Sequence, residues 1–109
     1  MKTSELIDAA LDWAVCMAKG CTYTIDIWLY EYKHLEGPRY STDWSRGGPI
    51  IEREQISLGH QPSAPDGSKW YSTNRQGAFG ISNTPLIAAM RCYVASKLGD
   101  EIEIPEELK

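Results

Sequence analysis

The chain has 109 residues, 42% of them hydrophobic and 24% charged, with a formal net charge of −4. That length suits one domain and leaves no room for two independent cores, so residues 1–109 are read as a single domain. The Lys and Arg residues are scattered rather than gathered in a stripe, which argues against long nucleic acid as a partner, and no apolar run approaches the ~20 residues of a membrane span.

Thr3 or Ser4 can cap a first helix running to about Lys19, with Glu5, Asp8 and Asp12 towards its positive end and Gly20 as its stop. Leu6, Ala10, Trp13 and Met17 recur at helical spacing. Residues 22–32 alternate Tyr23, Ile25, Ile27 and Leu29 with Thr24, Asp26, Trp28 and Tyr30, the period of a strand. On that reading Trp28, Tyr30 and Tyr32 share an outward face too aromatic to stay wet. They are the expected interface of a homo-oligomer, most simply a two-fold dimer.

Residues 34–49 read as a long loop broken by Gly37-Pro38 and Gly47-Gly48-Pro49, with Pro49 opening a short helical turn through Glu54. Ile56-Ser57-Leu58 reads as a brief strand, residues 59–68 as irregular, Trp70–Thr73 as a strand, and residues 74–82 as a polar stretch punctuated by glycine. Thr84-Pro85 is a strong helix start, a capping hydroxyl followed by a proline whose φ is already helical, and the helix runs to Leu98 before Gly99. Small residues at Ala10, Ala14 and Ala18, and at Ala88, Cys92, Ala95 and Gly99, would let the two long helices approach closely. The order predicts an α+β fold: a small antiparallel sheet with the N-terminal and C-terminal helices packed on one face.

Cys16, Cys21 and Cys92 show no paired spacing and are read as reduced thiols; with His34 and His60 distant in sequence, no metal or cofactor site is expected. Neither histidine has a nearby Ser or Cys arrangement suited to nucleophilic catalysis, so binding rather than enzymatic turnover is expected. The N-terminus has one basic residue and then an acid, which is no secretory pattern, and a cytoplasmic location follows as the expectation. The stretch Asp43-Trp44-Ser45-Arg46-Gly47-Gly48-Pro49, continued to Arg53, carries the candidate site. Two or three arginines suffice for one phosphate, glycines leave backbone amides open to it, and a Trp can stack on a base. The plainer reading, preferred for Trp44, makes it a core plug and Gly47-Gly48-Pro49 a tight turn. Arg75, in a polar loop after a Trp-Tyr strand, can close the pocket from the other side.

Three segments carry a family resemblance. They are Ser41-Thr42-Asp43-Trp44-Ser45-Arg46-Gly47-Gly48-Pro49-Ile50-Ile51-Glu52-Arg53-Glu54, Asn83-Thr84-Pro85-Leu86-Ile87-Ala88-Ala89-Met90-Arg91-Cys92-Tyr93-Val94, and Lys2–Leu6 running on to Ala9–Val15. Together they resemble the NinX-like family of phage proteins, a domain of unknown function. The likeness spans nearly the whole chain outside residues 22–40 and 59–80. It implies a phage-encoded accessory protein acting in the bacterial host cytoplasm. By analogy with small phage proteins, the expected role is sequestration of a small anionic ligand, such as a nucleotide immune signal of the host, in counter-defence. The alternative is a protein–protein module that inhibits or recruits a host or phage factor.

Overall fold

A computed structural model describes residues 1–109. Four helices, α1 (Asp8–Ala18), α2 (Ile25–His34), α3 (Trp44–Glu54) and α4 (Pro85–Leu98), surround three strands, β1 (Ser57–His60), β2 (Trp70–Thr73) and β3 (Phe79–Ser82). The strands form one antiparallel sheet in the order β1-β2-β3, with Leu58, Ser72 and Gly80 in one cross-strand row. The fold is α+β, with the N-terminal and C-terminal helices packing with the sheet as expected.

The last helix lies across all three strands and also touches α1 and α3. Thr84 caps it, its hydroxyl accepting from the Ile87 amide at 3.2 Å, and Gly99 ends it at φ 89. Two residues of its small-residue row, Ala88 and Cys92, face the sheet. Ser72 Oγ donates to the Ala88 carbonyl at 2.6 Å, and a Cβ on Gly80 would collide with that same carbonyl. Ala88 and Cys92, both fully buried, are therefore small because strands press on them.

The first helix begins later than its spacing suggests. Thr3–Glu5 form a 3-10 turn, Leu6 and Ile7 are extended, and α1 starts at Asp8 with φ 50. Leu6 is fully buried, so the extended step exists to seat it in the core. After α1, Gly20 at φ 91 turns the chain back and the Cys21 amide bonds the Cys16 carbonyl at 3.1 Å. That turn joins Cys16 and Cys21 in a disulfide, their Cα atoms 5.5 Å apart, against the expectation of three reduced thiols; Cys92 alone is free.

Residues 25–34 are a helix, not a strand. Thr24 supplies the cap to the Ile27 amide, Asp26 sits in the first turn and Lys33 and His34 in the last, all favourable to the macrodipole. Ile25, Trp28, Leu29 and Tyr32 are also spaced for one helical face, and that period won over the alternation of two. Trp28, Tyr30 and Tyr32 therefore do not share an outward face. Trp28 is only 4% exposed, lying edge-on to Trp13 and stacked on Tyr32 at 4.7 Å, whereas Tyr30 points out.

Candidate functional site

Asp43 caps α3, accepting from the Ser45 amide at 3.0 Å and the Ser45 hydroxyl at 2.7 Å. Those bonds, helped by the charge of Arg46, hold its carboxyl below the usual range. The helix thus starts at Trp44 and not at Pro49, which sits inside it. A side-chain cap four residues before Gly47 outweighs the local preference of Gly-Gly-Pro for a turn. This relocates the glycines. Gly47 is buried, its amide already bonded to the Asp43 carbonyl at 2.9 Å, and a Cβ there would meet Leu86 Cδ1 and the Tyr40 carbonyl, each at 2.6 Å. Gly47 is therefore a packing residue for the approach of α3 to α4. Gly48 lies in the helix with open space beside it, so neither glycine forms an open amide cradle.

The structure keeps Asp43, Trp44 and Arg46 together and separates them from the other two arginines. Arg53 sits two turns further along α3, about 10 Å by helical rise. It donates to Glu54 at 3.1 Å and to the Tyr93 hydroxyl at 3.5 Å. Arg75 donates to Gln55 Oε1 at 2.8 Å, beyond the C-terminal end of the helix.

Sequence reasoning missed Arg39. It lies in the segment before α3, where no motif marks it, and its guanidinium stacks over the Tyr32 ring at 3.9 Å while donating to the Tyr32 carbonyl at 2.9 Å. Arg39 and Arg46 line one open polar groove of about 410 Å³ with Glu36, Thr42 and Asp43. Neither has a carboxylate within ion-pair distance. Beside it, Thr42 also borders a second groove of about 250 Å³, walled by Trp44, Pro85 and Ile87. Trp44 is 52% exposed, which decides its two readings in favour of a surface residue.

The groove's rear wall is fixed from the core. Asp12, buried on α1, accepts from the Ser41 amide at 2.8 Å and the Tyr32 hydroxyl at 2.5 Å. It thereby ties the segment carrying Arg39 and Thr42 to two helices. Burial raises the Asp12 pKa, while Tyr32, Ser41 and Arg39 oppose the rise. Burial and the neighbouring carboxylate push Tyr32 up to about 12.

These features define a small α+β domain with a polar surface groove at a helix N-terminus, lined by two arginines and two carboxylates, next to an exposed indole. The chain belongs to the phage family described as "Bacteriophage P22, NinX", whose model matches residues 2–97. No curated protein matches the chain. It is a phage protein, and none of its helices is long and apolar enough to cross a membrane.

Proposed function

We propose that the protein binds a small anionic ligand of the nucleotide class, without turning it over, with the phosphate between Arg39 and Arg46 and the base on Trp44. The observation that carries this reading is that Thr42 lines both grooves, one bearing two arginines that form no ion pair and the other an exposed indole. Guanidinium–phosphate bonds are charge-assisted and directional, and an indole stacks on any base. The α3 N-terminus adds partial positive charge. Asp43 and Glu36, on the same wall, suit sugar hydroxyls or base N–H groups better than a second phosphate. Membership of a phage family supports sequestration of a host nucleotide signal in the bacterial cytoplasm as the biological setting.

Melting shifts against a nucleotide panel test this directly; a ligand at ~100 times its dissociation constant adds roughly 2.7 kcal/mol. For the ligand found, Arg46→Ala should weaken binding by about 1.5–3 kcal/mol and Trp44→Ala by about 1–3 kcal/mol, read by calorimetric titration. Arg53→Ala and Arg75→Ala should bind like the parent. Parent-like affinity in Arg46→Ala and Trp44→Ala together would place the ligand elsewhere.

One observation favours the alternative of a protein–protein module. Ile27 and Tyr30 fall on one helical face of α2, Tyr23 lies just before its cap, and the three are 52%, 59% and 47% exposed. A partner protein, or a second copy in a two-fold dimer, would cover this row. Light scattering that gives a monomer mass for the parent across a wide concentration range would remove the dimer.

A further inference from the structure

Separate from the arginine groove, Arg91 on α4 lines a cavity of about 190 Å³ together with Lys2, Thr3, Ser4 and Phe79. Its Nε donates to the Leu6 carbonyl at 2.9 Å and its Nη1 to the Ile81 carbonyl at 2.7 Å. Both acceptors are neutral, and no carboxylate lies within 4 Å of the guanidinium. A guanidinium carries more donors than these bonds use, and the spare ones have no protein acceptor. Partial burial lowers the Arg91 pKa. Asp100 and Glu101 also line the cavity, and Glu101 is paired with the chain's own amino group at 3.5 Å.

Phe79 of β3 lines this cavity. β3 is one of the two edge strands of the sheet. Its Ile81 carbonyl reaches Arg91 and so points away from β2. In an antiparallel ladder the N–H and C=O of one residue point to the same side, and the side alternates along the strand. The Ile81 amide and both backbone polar groups of Phe79 therefore face the free edge. The Phe79 ring is 57% exposed beside them. The facing wall is the N-terminal segment, held to the tail by the Thr3 amide bonding the Asp100 carbonyl at 2.8 Å.

We propose that this slot takes the C-terminal end of an extended peptide, whose backbone pairs with the β3 edge and whose terminal carboxylate lies on Arg91 and Lys2. Strand addition uses the alternating amides and carbonyls, which a nucleotide would leave unpaired. The carboxylate supplies the charge that the half-buried guanidinium lacks and matches its planar fork. Phe79 offers an apolar wall to one side chain of the peptide.

The test is a nuclear magnetic resonance titration with three probes: an acetylated apolar tetrapeptide with a free carboxylate, the same peptide amidated at its C-terminus, and inorganic phosphate. The free acid should shift the Phe79 and Ile81 amides together with Arg91 Nε, and the amidated peptide should bind about tenfold more weakly. Lys2→Glu, at an exposed position, should melt like the parent and weaken the free acid by a similar factor. Arg46→Ala should leave it unchanged, which keeps this site distinct from the arginine groove. Equal binding of acid and amide would overturn the proposal. So would phosphate moving Arg91 Nε while the free acid leaves the Phe79 and Ile81 amides in place.

Discussion

Asp12 accepts two hydrogen bonds while 1% exposed, and that pair of facts decides how it responds to pH. Its folded pKa is raised, so the folded chain holds the proton more tightly than the unfolded chain does. Stability from this group therefore falls as pH rises from the ordinary carboxylate range through the raised value. Tyr32→Phe removes the shorter of the two bonds and leaves the carboxylate with only Ser41 to answer its burial. We expect it to cost about 1.5–3 kcal/mol at pH 7, the range for hydrogen bonds to charged groups. The cost should shrink at pH 4, where protonation relieves the buried charge. Urea unfolding at the two pH values measures both; an equal cost at each would mean that Asp12 does not titrate in this range. Nothing in the spacing of Asp12 and Tyr32 announces their contact, because α1 and α2 are joined by a turn whose direction depends on Gly20 and the cysteine pair.

At the level of elements, the legible ones were those with local punctuation. Thr84-Pro85 and Gly99 bracket α4, and the strand Trp70–Thr73 has β-forming residues bounded by polar ones. Residues 25–34 carry both periods at once, so the choice fell to the Thr24 cap and to the burial of Trp28, neither visible without neighbours. β3 was hidden because Phe79-Gly80-Ile81-Ser82 contains a glycine, which ordinarily weakens a strand. Here the glycine is required. A Cβ on Gly80 would run into the Ala88 carbonyl and come within 2.8 Å of the Cys92 amide, both backbone atoms of α4. Gly80→Ala should cost about 1–3 kcal/mol or push the strand off the helix. Gly48→Ala, inside α3 with nothing within 4 Å of the new methyl, should instead stabilise by about 0.5–1 kcal/mol. Chemical denaturation of the two variants should give shifts of opposite sign, and a stabilised Gly80→Ala would contradict this packing.

For the molecule as a whole, the α+β class was legible while the route to it was not. The sequence reading expected three strands and the structure has three, but the segment at 22–32 left the sheet and residues 79–82 joined it. The candidate site shows the same pattern: Asp43, Trp44 and Arg46 share one end of a helix, but Arg53 and Arg75 lie at its other end and Arg39 takes their place. Side chains seven residues apart on a helix share a face without sharing a pocket. Only the path of residues 34–43 brings Arg39 in, and that path is set by Asp12 from a helix far away in sequence.

The position of α4 across every strand also orders the events of folding. β1, β2, β3 and α4 follow one another between residues 57 and 98, so their mutual contacts close short loops, whereas the docking of α1 on α4 closes a loop of most of the chain. Loop-closure entropy favours the local set first. The C-terminal half should then form the transition state, with α1 arriving late. Ala88→Gly, in the helix under β2, is expected to slow folding, while Leu11→Ala, in the core face of α1, is expected mainly to quicken unfolding. Stopped-flow chevrons would show the difference in which arm moves. A folding arm slowed by Leu11→Ala and untouched by Ala88→Gly would reverse the order, making the N-terminal helix the seed and the sheet the late arrival.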